Sequence, residues 1–352
     1  MTQLITLLGK GGVGKTTAVI ALARTAARTG KRTLLVGHLN GTRWAERLGC
    51  PLPDTPQEIA PQLWGVQLSA ASLLADYWEK MKGLEAQYLR MPVLQEVFGA
   101  ELGILPGMDG ALTLSYLRER YDEGQYDLII YDGTGDGQTL RMWGMPEILN
   151  WYLRRFRQIL TGSALGQALS PFLEPMLRSV LQVSMPTDLG RSGNKMTSLL
   201  DRGQSAVGDR TQVLAYLVTS DDPEAIAVAQ FLWSSAQQVG LTVGGVYSHG
   251  QVPADAFAPL AIAPFGSDPS ANLPLIPANS APAAITLDIP ACQARLYLPH
   301  FDKRQVKLTQ MGPEITIEAG DQRRNLFLPP ELNGKQAIGA KFQDGYLIIT
   351  FG

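Results

Sequence analysis

Cysteine is scarce in this chain: Cys50 and Cys292 are the two among 352 residues, and no C-x-x-C occurs. A zinc clasp or an iron–sulfur cluster therefore lacks its thiolate ligands. Two cysteines far apart in sequence read as buried apolar residues in a reducing compartment, so a cytoplasmic protein is expected. Long apolar runs are missing as well. None reaches the roughly 18 residues that a membrane-spanning helix needs, which argues against an integral membrane protein. The first strand-like run begins by Gln3, so no leader peptide is expected. Charge is sparse and balanced, at 18% of residues with a net value of -2, and no basic stripe is visible. The electrostatic footprint of a nucleic-acid partner is absent. What is present is ordinary globular composition, 45% hydrophobic, and enough chain for one large α/β domain with a small second one.

The strongest positive signal is Gly9-Lys10-Gly11-Gly12-Val13-Gly14-Lys15-Thr16, which directly follows the apolar run Leu4–Leu8. The spacing fits the phosphate-binding loop G-x-x-x-x-G-K-[ST], in which a strand passes through a glycine-rich turn into a helix. The glycines let backbone N–H groups converge on phosphate oxygens, and the helix start adds its positive end. Gly11, Gly12, Val13, Gly14, Lys15, Thr16 and Thr17 are thus the candidate nucleotide-binding residues. Lys15 is expected to reach the β- and γ-phosphates, and the Thr16 hydroxyl to bind magnesium. A turn that merely joins a strand to a helix is the plainer alternative, and agreement at seven positions and on both flanks argues against it.

A second signal lies at Tyr126–Arg141, where a buried-type strand ends at Asp132 and runs into Gly133-Thr134-Gly135-Asp136-Gly137. An acid at such a strand end can hold a magnesium-bound water beside the phosphate loop, so Thr16 and Asp132 are the metal candidates. The glycines that follow permit a loop responsive to the γ-phosphate. For Asp136 a plain turn role is equally open.

Alternating strand-like and helical segments predict an α/β fold, a mostly parallel sheet flanked by helices. Residues 1–252 are read as this domain, with a helical subdomain at about 140–207 broken at Pro146, Pro171, Pro175 and Pro186. Residues 70–98 read as one long helix, and Leu102–Leu105 as a strand. Residues 253–283 are Pro/Ala-rich and read as a linker or extended arm. Residues 284–352 alternate like a small antiparallel β-sandwich.

Lys10-Gly11-Gly12-Val13-Gly14-Lys15-Thr16-Thr17 resembles the deviant Walker A loop of a class of P-loop ATPases that includes the arsenite-pump (ArsA) ATPases, the GET-pathway ATPases that target tail-anchored proteins, the ParA/MinD partition proteins and the nitrogenase iron protein; the next elements narrow the resemblance to the arsenite-pump and GET ATPases. Asp132, Gly137, Thr139, Leu140 and Arg141 match that family's switch II, and Leu105-Pro106-Gly107-Met108-Asp109 resembles its Pro-Gly-x-Asp-Glu element. The resemblance covers about residues 1–250. The C-terminal Leu326-Phe327-Leu328-Pro329 and Ala340–Thr350 resemble the last strands of an α-crystallin domain, as in the cyanobacterial and chloroplast subgroup. It implies a P-loop NTPase, most simply an ATPase, using ATP and magnesium, with Lys10, Lys15 and Asp132 as catalytic residues. It also implies a homodimer with nucleotide at the interface, in which Lys10 reaches the partner's nucleotide. Met142–Met185, dense in apolar residues, matches the region that contributes to a groove for a hydrophobic helix in the GET family, while a helical subdomain packing its own core is the plainer reading of the same residues.

The chain departs from the family in three places. Where the family's switch I carries a catalytic Asp, this sequence has Leu39, which can neither orient nor activate water. His38 and Asn40 are the neighbouring polar candidates, although such residues more often cap the next helix. The adenine-contacting Asn is replaced by Tyr247-Ser248-His249, of which the tyrosine could stack on a base. The zinc-clasp cysteines are absent. The leading expectation is a nucleotide-dependent chaperone or targeting switch with slow hydrolysis. The alternative is a P-loop phosphotransfer or ligase enzyme with a small metabolite substrate and a polar pocket in the helical region. An oxyanion-pump subunit is disfavoured by the cysteine count, and a partition ATPase by the charge.

Overall fold

The computed structural model describes residues 2–38, 42–88, 96–162 and 189–352, and divides them into two compact units. The first comprises residues 1–67, 124–144 and 205–352, and the second residues 68–123 and 145–204.

In the first unit the chain opens with β1 (Gln3–Leu8) and α1 (Lys15–Arg28), then β2 (Thr33–Gly37), the short α2 (Thr42–Leu48), β3 (Gln57–Ala60) and β4 (Leu63–Gln67). The second unit follows with α3 (Ala70–Tyr88) and α4 (Met108–Asp122). The chain returns through β5 (Leu128–Asp132), enters α5 (Gly137–Gly162), and continues through α6 (Leu189–Gly208) to β6 (Val213–Ser220), α7 (Pro223–Gln238), β7 (Val243–His249) and β8 (Ile262–Pro264). Among the described residues the sheet has the order β3-β4-β2-β5-β1-β6-β7-β8. Every pairing is parallel except β3 with β4. β1, β2 and β5 are buried almost without interruption, as strands with both faces covered must be. The carboxyl ends of β1, β2 and β5 meet at one edge, where ligands sit in such sheets. α1 is mostly alanine and small aliphatic residues, which lets it lie against the sheet in the main core.

Residues 253–283 are laid against this core. Leu273 and Ile276 are buried in it, Tyr216 donates its hydroxyl proton to the Ile276 carbonyl (2.7 Å), and the Thr25 hydroxyl accepts from the Leu273 N–H (2.8 Å). The Pro-rich composition thus reflects an extended path whose polar groups are satisfied by the domain it crosses.

The C-terminal part completes the first unit with β9 (Ile285–Asp288), β10 (Gln293–Tyr297), β11 (Val306–Met311), β12 (Glu314–Ala319), β13 (Gln322–Phe327), β14 (Ala337–Gln343) and β15 (Tyr346–Phe351). The antiparallel sheets β14-β15-β10-β9 and β11-β12-β13 enclose a core that includes Leu296, Ile315, Ile317, Leu347, Ile349 and Phe351. This is the expected sandwich. The ladder is continued by β13 and β14, whose polar residues Arg323, Arg324, Asn325, Lys341 and Gln343 hide the alternation.

α7 is the seat of the sandwich. Its N-cap Asp222 accepts from the Glu224 and Ala225 N–H groups, and Pro223 fills the first helical position. Trp233, fully buried, packs against Tyr297 and His300 at ring-centroid distances of 5.7 and 5.4 Å. The Ser234 hydroxyl accepts from the His300 N–H (2.9 Å), and the Gln238 amide donates to the Ile317 carbonyl (2.7 Å). Burial pushes the His300 imidazole below its ordinary pKa. Gln238→Ala is expected to destabilise the chain by about 0.5–1.5 kcal/mol, the net worth of one buried side-chain hydrogen bond. Urea unfolding read by tryptophan fluorescence measures this.

In the second unit Leu74, Tyr77 and Leu112 form a small core between α3 and α4, joined by Leu73, Met81, Leu102 and Met108. Three expectations are corrected here. Leu102–Leu105 forms no strand, because it follows a 3-10 turn at Gly99–Glu101 and spends Leu102 on the helical core. α3 ends at Tyr88 in the described part, and Phe98 lies outside any helix. α5 runs through Pro146 instead of breaking there, since one missing N–H does not outweigh burial of the surrounding face. Pro171, Pro175 and Pro186 lie outside the described residues.

Candidate functional site

The site grows from the end of β1. Gly12 and Gly14 hold left-handed backbone (φ 90 and 92), which turns the loop so that α1 begins at Lys15 with Gly14 as its N-cap. Lys15 bends back over the loop and its ammonium donates to the carbonyls of Gly9 (2.7 Å) and Lys10 (3.1 Å). Burial pushes its pKa below the usual lysine value, against the opposing pull of the Asp132 and Asp136 carboxylates. Thr16 donates its hydroxyl proton to Asp132 Oδ2 (2.8 Å). Asp132 is buried at the end of β5, in register with Gly37 at the end of β2. Two residues far apart in sequence thus supply a hydroxyl and a carboxylate oxygen at one point, a donor set suited to a hard divalent cation such as magnesium.

The loop after Asp132 is fixed from both sides. The Gly9 N–H donates to the Gly135 carbonyl (2.9 Å), and the Gly135 N–H donates to Thr139 Oγ1 (2.9 Å). Gly135 (φ 68) leaves no room for a side chain: a Cβ there would lie 2.6 Å from Lys15 Cδ and 2.7 Å from the Leu7 carbonyl oxygen. Asp136 resolves as a helix cap. Its carboxylate accepts from the Thr134 hydroxyl (2.6 Å) and the Gln138 N–H (2.9 Å) at the start of α5.

Lys10 projects to the other side of the loop. Its ammonium pairs with Glu224 (2.6 Å) and Asp222 (3.2 Å) at the N-terminus of α7. The Glu224 hydrogen bond leads in raising its pKa. Arg47 of α2 donates to the Thr17 hydroxyl. Phe265, directly after β8, places its ring against Gly14, so that a Cβ on Gly14 would lie 3.2 Å from Phe265 Cζ. The His249 ring stands 5.9 Å from it. Phe265, Glu224 and Arg47 were not legible as site residues, because each arrives from a distant segment with no local motif.

Tyr247 is not a base platform. It is fully buried, donates to the Pro274 carbonyl (2.9 Å) and packs against Tyr216, because its strand position points into the sheet's core. His38 donates its backbone N–H to the Asp132 carbonyl (3.2 Å) and sets its ring edge-on to Tyr131. Leu39 and Asn40 lie outside the described residues. Of the apolar stretch expected to face clients, Met142 and Trp143 are buried in the first unit, and Tyr152 is the exposed member among the described side chains. Phe156, Ile159, Leu160, Phe172, Leu173, Met176, Leu177 and Leu181 fall outside them. No helix among the described residues is long and apolar enough to cross a membrane.

A parallel sheet with a glycine-rich loop at its central strand, a lysine over that loop and a Thr–Asp pair beneath it define a P-loop NTPase. Residues 2–229 match the profile of the anion-transporting ATPases, and residues 292–351 that of an HSP20-like domain found in the same proteins. The chain belongs to this anion-transporting ATPase (ArsA) family. It is 27% identical to an uncharacterised protein of Streptomyces coelicolor, over 99% of this chain and 97% of that one. It is 21% identical to a putative arsenical pump-driving ATPase of Chlorobaculum tepidum over 99% and 96%. It is also 29% identical to the ATPase ASNA1 homolog 1 of Paramecium tetraurelia over 43% and 46%.

Proposed function

We propose that the chain is a homodimeric ATP switch of chaperone or targeting character, binding hydrophobic helices of client proteins according to its nucleotide state. The observation that carries this reading is the Thr16–Asp132 pair set beside Lys15 in a complete phosphate loop. Gly11–Thr17 cradle the phosphates of ATP, with Lys15 as counter-charge and Thr16 and Asp132 as the magnesium donors. Magnesium would supply charge neutralisation at the phosphates. Phe265 offers the nucleotide base an apolar face at the mouth of the loop. Lys10 is the residue that meets the partner's nucleotide, exchanging Glu224 and Asp222 for phosphate. Hydrolysis is slow because Leu39 stands where the family has its water-activating acid. The domains divide at 1–252, 253–283 and 284–352, the first with its helical subdomain, and the chain works in the cytoplasm.

A second reading, phosphotransfer or ligation of a small metabolite, draws support from polar pairs in the helical unit: Asn150 with Asp201 (2.5 Å) and Gln204 with Glu147 (3.3 Å). The two readings separate in one experiment. Light scattering would follow the mass of wild-type chain and Lys10→Ala with magnesium and either ADP or a non-hydrolysable ATP analogue, with an apolar helical peptide added. Wild-type chain is expected to dimerise and retain peptide with the ATP analogue. Lys10→Ala should weaken the dimer about 10- to 100-fold, the worth of one charge-assisted contact. Equal masses in every nucleotide state, with no peptide retained, would sink the switch reading.

A further inference from the structure

We infer that Asp321, in the C-terminal sandwich, is a positioning residue for the loop that carries Asp132, acting through Arg141. The Asp321 carboxylate accepts from the Arg141 guanidinium, and Arg141 lies in the first turns of α5. Those turns also hold Thr139, whose hydroxyl accepts the Gly135 N–H. Gly135 in turn accepts from the Gly9 N–H and lies against the Lys15 stem. A carboxylate from the sandwich is thus linked to the phosphate loop through three hydrogen bonds and the first turns of α5.

The position of Asp321 is itself held. It follows Gly320 in the turn between β12 and β13, and Gly320 (φ 57) has no room for a side chain: a Cβ would sit 2.9 Å from Phe301 and 3.2 Å from Phe231. Those two rings pack edge to face at 5.6 Å, Phe231 from α7 and Phe301 from the sandwich. With Trp233, Ser234 and Gln238 also engaged, the turn is seated on α7, and Asp321 is presented at a fixed point. α7 begins with Asp222 and Glu224, which hold Lys10. The sandwich therefore stands on one helix that meets the phosphate loop at its N-terminus, and it reaches the loop after β5 with an ion pair. An exposed ion pair contributes little to global stability, so its consequence is local, on the order of α5's first turns.

Amide hydrogen exchange of the full chain tests this at residues 133–144. Asp321→Arg is expected to speed exchange there about two- to fivefold, the range of a lost surface pair, and Asp321→Asn to act in the same direction. Arg141→Asp combined with Asp321→Arg should restore protection, with exchange in β10 and β15 unchanged throughout. Single-turnover ATP hydrolysis should fall by the same factor in the single variants at unchanged KM. Unaltered exchange at 133–144 in both Asp321 variants, or additive losses in the charge-swapped pair, would overturn the inference. It rests on the ATPase reading for its kinetic arm alone: exchange decides it whether or not ATP is turned over, and a chain without hydrolysis counts against the ATPase reading.

Discussion

Lys15→Ala is expected to lower magnesium–ATP affinity about 10- to 100-fold and single-turnover hydrolysis about 100- to 1,000-fold, the usual worth of one preorganised donor to a transferring phosphoryl group. The size follows from where the ammonium sits. It is partly buried, already desolvated, and held 2.7 Å from the Gly9 carbonyl, so little reorganisation precedes its contact with phosphate. Truncation removes that charge and leaves the Asp132 carboxylate with less compensation at the buried strand end. A purely structural loss is separated by Asp132→Asn, which keeps the shape and removes the charge. In that variant nucleotide affinity is expected to lose its dependence on magnesium while Lys15 still binds phosphate. Isothermal titration with and without magnesium, beside rapid-quench hydrolysis, measures both. Wild-type hydrolysis in Lys15→Ala would mean that phosphate is held elsewhere.

The contrast between Lys15 and Phe265 shows what sequence could convey. Lys15, Thr16 and the glycines are contiguous, and their backbone shape is dictated locally, so motif spacing was enough. Asp132 was legible because an uninterrupted apolar run fixes a buried strand, and an acid at its end has few other roles. Phe265, Glu224 and Asp321 become site residues through tertiary packing on Gly14, Lys10 and Arg141, the last two pairs 214 and 180 residues apart, for which no local signal exists. Arg47 reaches Thr17 across 30 residues, equally without a local motif. Tyr247 failed for the opposite reason. The resemblance put it where the family contacts the base, whereas the ladder continues to His249 and keeps its ring in the core. At Leu102–Leu105 a short apolar run was too brief to tell strand from helix packing.

Leu39→Asp is expected to raise single-turnover ATP hydrolysis about 100-fold or more, within the range that a positioned general base contributes. The change follows the family resemblance, in which an acid stands two residues beyond this strand. The structure gives the acid a setting up to its threshold: β2 ends at Gly37, paired in register with Asp132, and the His38 N–H donates to the Asp132 carbonyl. A carboxylate introduced just beyond can accept a proton from attacking water, which leucine cannot. A general base also sets a pH signature. A carboxylate accepts a proton only when ionised, so the gain should grow as pH rises through its pKa and vanish below it. ATP affinity should change little, because leucine contributes no charge to be lost. Leu39→Asn separates orientation from proton transfer: a gain without pH dependence would assign the effect to water positioning. An unaltered rate in Leu39→Asp would move attention to His38 and Asn40, and would mean that slow turnover has a cause other than the missing acid.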